Sequence, residues 1–317
     1  MVTQLIMLFA LLFTGFGLYR VGIFNKTVDL GINKMVVFFA FPCMITYKIG
    51  TMEMDPAFAR DFALVTGLGL AGFFLYTGIA FAYFRMRGIT DKVSRPARLS
   101  AVMPNNGFIG YPVALVFLGQ PGLLLMIAHG AIVLNVYAFS FGINYLRREK
   151  EERVPFTAGK LLTLVLQLVT NPVIISILAG LAILYFGIPL DNVVGKYLSA
   201  ISDMASPLAM IYVGAVIGEG EIMKSFRDSA LWEISGLKLI VMPLVTGLIC
   251  MWMPLSTLVK AVLILGAAFP CATIPVMLGQ QEGLDYEQAG NALLLSTILS
   301  VGTLPVVMKI LSMILPL

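Results

Sequence analysis

Charged residues make up only 12% of this 317-residue chain, histidine occurs once, and cysteine three times. Soluble domains carry about one quarter charged residues. The shortage of charge, with a mean hydropathy of +0.94, excludes a water-soluble enzyme of this length. The lone His129 rules out a multi-histidine metal site. Cys43, Cys250 and Cys271 lie inside apolar segments, without metal-ligand or disulfide spacing, and are read as packing residues. There is no Gly-x-Ser-x-Gly, no Walker loop, no zinc-binding histidine pair and no TVGYG filter. No catalytic set emerges, no cofactor is expected, and ATP-driven transport would need a separate ATPase subunit. No basic, aromatic-interleaved patch points to nucleic acid.

What the chain does have is apolar runs along its whole length, the mark of an all-α polytopic membrane protein. Cutting at charged or turn-rich stretches gives ten transmembrane spans, near 2–18, 30–48, 61–84, 97–118, 122–146, 160–186, 193–217, 230–252, 258–279 and 290–315. The N-terminal run lacks a positive leader and a small-residue cleavage site, so it is read as the first span. Lysine and arginine are unevenly distributed over the connections. Fourteen of the 21 lie in odd-numbered connections, clustered at 85–98 and 147–160, and four lie in even-numbered ones. The positive-inside rule then puts the odd connections in the cytoplasm and both termini outside the cell membrane.

Prolines reveal an internal repeat. Pro42 and Pro207 are 165 residues apart, Pro104 and Pro270 are 166 apart, and Pro112 and Pro275 are 163 apart. Each pair falls on the same span of its half. Five spans per half is an odd number, so the halves insert in opposite senses and form an inverted repeat of the kind secondary transporters use. The expected organisation is a first repeat over 1–146, a cytoplasmic linker over 147–160 and a second repeat over 161–317.

Span 4 carries MPNNGFIGYP (103–112) and span 9 carries FPCATIP (269–275). Proline removes a backbone donor and clashes with the preceding turn, and an orphaned polar group in lipid costs several kcal/mol. Breaks at Pro104, Gly107 and Pro112, and at Pro270 and Pro275, are therefore expected where protein or a water-filled cavity covers them. Half-helix ends offer N–H groups to an anion and carbonyls to a cation. Asn105 and Asn106 add donors and acceptors, an arrangement suited to a small carboxylate. The alternative is a pair of structural kinks.

Few other polar residues interrupt the spans. Asp203, just before Ser206-Pro207, is either a coupling site for a proton or a cation or an interfacial acid. Asn135 lines a cavity or cross-links helices, and His129 is expected to be a hydrogen-bonded structural residue. Lys238 and Lys309 have stems long enough to reach an interface by snorkelling, and no role is assigned to them.

Together FFAFPCMI, MPNNGFIGYPV, TNPVIISILAGL, SPLAMIYVGAVIG and GAAFPCATIPVMLGQQEG, in that order and spacing, resemble the auxin efflux carrier family, which includes the plant PIN exporters and bacterial permeases. The resemblance covers essentially the whole chain. It implies a fold similar to that of the bile-acid sodium symporters, with spans 4 and 9 broken and crossing. Spans 1, 2, 6 and 7 would be the scaffold and spans 3–5 and 8–10 a mobile transport domain, in a homodimer. It also implies that Asn105 lies near the substrate and that Asn171 matches the Asn-Pro of span 6. The connection between spans 5 and 6 is short and span 3 lacks a charged pair, both unlike the plant exporters, so a prokaryotic-type permease fits better than an auxin exporter.

Three functions follow as candidates. One is a secondary carrier for a small organic anion, such as an indole carboxylate or a dicarboxylate, coupled to protons or sodium. Another is a sodium symporter using Asp203, Ser206, Asn106 and Thr273 as oxygen ligands. The third is a membrane receptor or structural protein without flux.

Overall fold

A computed structural model describes residues 2–53, 57–147, 166 and 170–315. Among these residues the regular structure is helical, apart from one isolated antiparallel bridge between Pro104 and Cys271. The linker expected at 147–160 and the first part of the sixth span lie almost wholly outside the described residues.

The helices are α1 (Val2–Arg20), α2 (Lys26–Gly50), α3 (Phe58–Met86), the short α4 (Arg95–Ser100), α5 (106–118) and α6 (120–147). They continue with α7 (Pro172–Tyr185), α8 (Val193–Glu219), the short α9 (Ile222–Arg227), α10 (Ser229–Trp252), α11 (Thr257–Ala268), α12 (Ile274–Gln281) and α13 (Glu287–Ile314). Between α5 and α6 the chain turns at Gly119, whose φ of 69° suits a residue without a Cβ. Six helical runs are long and apolar enough to cross a membrane: α2, α3, Asn106–Arg147, α8, α10 and α13. Within α1, Ile6–Arg20 forms a shorter apolar helix, as do α7 and α11. The chain is thus a multi-pass membrane protein.

Local sequence sets the helix ends. Asn25 starts α2 by accepting from Thr27 N and Val28 N, Asn192 starts α8 by accepting from Gly195 N, and Ser256 starts α11 by accepting from Val259 N. Pro42, Pro112 and Pro243 each lie two residues after a π-helical turn, at Val36–Ala40, Asn106–Gly110 and Leu237–Val241. A π turn widens the ladder where proline has no N–H to donate. These prolines are therefore carried inside continuing helices and do not interrupt them.

Packing is tightest where glycine removes the side chain. A Cβ on Gly214 of α8 would lie 1.8 Å from the carbonyl oxygen of Leu12, and one on Gly15 of α1 would lie 2.0 Å from that of Ile211. Backbone therefore meets backbone along the α1–α8 contact. Elsewhere buried hydroxyls tie helices together. Tyr76 Oη lies 2.5 Å from Thr246 Oγ1, joining α3 to α10, and Tyr137 Oη lies 2.5 Å from Thr77 Oγ1, joining α6 to α3. At one end of the bundle Arg147 donates through Nε and Nη2 to both carboxylate oxygens of Glu282, at 2.9 Å each.

Candidate functional site

The helices lapse in two places, at 101–105 before α5 and at 269–273 between α11 and α12. Pro104 and Pro270 lack a donor and press the residue before them toward extended backbone. Phe269 is indeed extended, with ψ 148°. The two lapses then satisfy each other. Asn105 N donates to Pro270 O at 2.8 Å, and Ala272 N donates to Met103 O at 2.8 Å, on either side of the Pro104–Cys271 bridge. Four backbone groups of the two lapses are thereby paired with one another, as the interior of a membrane protein demands. Pro112 and Pro275 do not frame these lapses as expected. Pro112 lies inside the helix, past its π turn, and Pro275 sits in the first turn of α12, where its missing N–H is harmless. Gly107 lies on the helical side too, and a Cβ there would meet open space.

Asn105 caps α5. Its Oδ1 accepts from Phe108 N at 3.3 Å, and its carbonyl accepts from Gly110 N at 3.1 Å. It borders a small cavity with Thr273 from the other lapse, Thr297 of α13, and the side chains of Phe108, Tyr212 and Ile217. The cavity measures about 10 Å³, room for about one water. Tyr212 of α8 lies against Phe108 with ring centroids 4.7 Å apart, and its hydroxyl accepts from Asn33 Nδ2 at 2.7 Å. The polar end of α5 is thus present but closed off.

Asn106 points elsewhere. Its Nδ2 lies 2.8 Å from His129 Nδ1, while its Oδ1 is buried without a partner. His129 has the hydrogen-bonded role expected of it. It fits because α3 and α11 offer glycines there: a Cβ on Gly69 or on Gly266 would lie 2.8 Å from the imidazole. Phe73 packs against the ring at 5.1 Å between centroids.

The structure brings together Asn105 and Thr273 among the expected residues and leaves the others apart. Asn171 caps α7, accepting from Val173 N at 2.9 Å. Asn135 donates to Ala131 O of its own helix at 2.7 Å. Asp203 is exposed on α8, and Ser206 Oγ is buried without a partner; neither borders the cavity. Among the described residues no group of three or more His, Cys, Asp or Glu could hold a metal ion.

The burial of two charged residues was not foreseen. Lys238 does not snorkel. It is completely buried, and its Nζ donates to Ala267 O at 2.7 Å, at the end of α11. Lys309, by contrast, is exposed. Asp29 is also buried, and neither carboxylate oxygen has a partner. Its place one turn from Asn33 sets it near the Tyr212 contact. It escaped notice because the apolar window of the second span begins after it.

Comparison with known proteins gives a consistent picture. A family profile described as "membrane transport protein" matches residues 1–308. An uncharacterized transporter of Methanothermobacter thermautotrophicus is 25% identical over 296 residues, 93% of each chain. An uncharacterized transporter of Methanocaldococcus jannaschii is 23% identical over 283 residues, 85% of each.

Proposed function

Because the chain belongs to the membrane transport protein family, the one that includes the auxin efflux carriers, we propose that it is a secondary carrier that moves a small organic anion across the cell membrane. The observation that carries the proposal is the pairing of the two proline lapses, which leaves Asn105 and Thr273 facing one cavity at the start of α5. A helix start presents unpaired N–H groups and partial positive charge, which suits a carboxylate. Asn105 and Thr273 orient it, and the apolar walls select the remainder of the molecule.

The carrier has ten spans arranged as two inverted five-span repeats, with both termini outside and the broken spans 4 and 9 crossing. Spans 1, 2, 6 and 7 form the scaffold, and the chain works as a homodimer through it. The closed cavity is one stage of an elevator cycle. Binding requires α8, with Tyr212, to part from α5, and release on the far side follows when spans 3–5 and 8–10 shift as a unit. The close α1–α8 contact supports a rigid scaffold, because backbones that touch cannot slide independently.

The test is counterflow in proteoliposomes, with a panel of radiolabelled monocarboxylates, dicarboxylates and indole carboxylates. Saturable exchange of at least one is expected. Binding of a carboxylate by well-folded protein with no exchange of it would make the chain a receptor instead.

A further inference from the structure

Lys238 sits where the break in α11 leaves an acceptor exposed. In an unbroken helix Ala267 O would accept from the N–H of residue 271. Here Cys271 N turns away and donates to Ser296 Oγ at 3.0 Å. The freed carbonyl lies at the end of a half-helix, where the peptide dipoles carry partial negative charge. Lys238 Nζ reaches it at 2.7 Å from α10.

Such a lysine is unusual. Buried lysines are normally paired with a carboxylate, yet the ion pairs among the described residues do not include Lys238. Among the described residues, the titratable groups near it are Cys271, in the same break, and His129. Neither is an acid of carboxylate strength. His129 rests against Gly266 and is held by Asn106, whose buried Oδ1 has no partner. A buried oxygen without a partner therefore lies one contact beyond His129. Lys238 also lies in the π turn Leu237–Val241, a local widening often found at functional positions.

Carbonyl and amide oxygens left unpaired in a dry interior are what a hard monovalent cation binds. We propose that Lys238 is a tethered cation occupying a monovalent-cation site at the end of α11, and that its ammonium does there what a bound sodium ion would otherwise do. The lysine holds the broken end of α11 in place, and the carrier needs no sodium at that position. This deepens the carrier proposal by assigning its cation dependence, but its test is read in protein stability and does not need a substrate.

The experiment is thermal unfolding of the purified full-length protein in detergent, in sodium, choline or methylammonium chloride at equal ionic strength. Wild type is expected to unfold at the same temperature in all three. Lys238→Ala, which vacates the space, is expected to unfold roughly 5–10 °C lower in choline and to recover at least half of that loss in sodium or methylammonium. Lys238→Arg is expected to stay near wild type, while Lys238→Met, which fills the space without charge, falls and is not rescued. A wild-type protein stabilised by sodium over choline would overturn the proposal, as would Lys238→Met unfolding at the wild-type temperature. Should Lys238→Ala not fold, the wild-type salt comparison and the Arg–Met contrast decide. Absence of carboxylate exchange with these stability results intact would remove the carrier assignment and leave the cation site standing.

Discussion

The ring of Tyr212 lies 4.7 Å from that of Phe108, with its hydroxyl tied to Asn33. One residue comes from α8 and the other from the first turn of α5, so this stack closes the cavity beside Asn105 from the α8 side. Removing the ring should open it. In a chain with its three native cysteines replaced, Thr273→Cys should react with a membrane-impermeant thiol reagent at least several-fold faster when Tyr212→Ala is added. Equal rates in the two backgrounds would mean that the stack is not the barrier.

On the carrier proposal Asn105 has two duties, capping α5 and holding the anion, and they can be separated. Its side chain caps α5, and loss of a cap costs about 1 kcal/mol. Asn105→Ala should therefore lower stability slightly and abolish carboxylate binding. Asn105→Asp retains the accepting oxygen and hence the cap, but sets a negative charge where the anion must sit. It should unfold near the wild-type temperature and bind no carboxylate, as judged by ligand-induced thermal shift. Retained affinity in Asn105→Asp would place the anion elsewhere.

The α1–α8 contact predicts a steep local sensitivity. A Cβ at position 214 would lie 1.8 Å from Leu12 O, whereas one at position 17 would touch nothing within 4 Å. Gly214→Ala should force the helices apart and destabilise by about 2 kcal/mol or more, since overpacking of this kind commonly costs 1–3 kcal/mol. Gly17→Ala should be neutral or slightly stabilising. Fluorescence-detected size-exclusion after a heat step distinguishes them, and equal behaviour of the two variants would contradict the contact.

The Arg147–Glu282 pair joins the end of α6 to the end of α12 through two parallel hydrogen bonds. Both residues make further contacts, so single replacements remove more than the pair. A double-mutant cycle with Arg147→Ala and Glu282→Ala should give a coupling of about 1 kcal/mol, at the upper end for partly exposed ion pairs. A coupling near zero would mean that the pair merely decorates the helix ends.

How much of this was legible beforehand depends on the range of the cause. Proline acts on its own turn, so the lapses at Pro104 and Pro270 could be read from the chain. Pro112 looked equivalent but is not, because a π turn at Asn106–Gly110 absorbs it, and nothing local distinguishes a proline that breaks a helix from one carried through. Asn105 and Asn106 are neighbours in sequence but face different surroundings, since the choice is made by α8 and Thr273 on one side and by His129 on the other. Lys238 was misjudged for the same reason. Its stem suits snorkelling, and only the carbonyl of Ala267, 29 residues away and freed by the break that follows it, supplies a buried alternative. Asp203 drew attention as an acid in an apolar run but is exposed, while Asp29, in a stretch that read as a connection, is buried, as is Asp61 at the start of α3.

The joint between the two lapses is built from main-chain atoms: Asn105 N to Pro270 O and Ala272 N to Met103 O. Main-chain bonds are indifferent to which side chains flank them. The side chains at positions 105 and 273 can therefore be exchanged without removing a bond of the joint, and on the carrier proposal the compound accepted changes with them. The strength of the joint is thereby uncoupled from the chemistry of the groups that line the cavity.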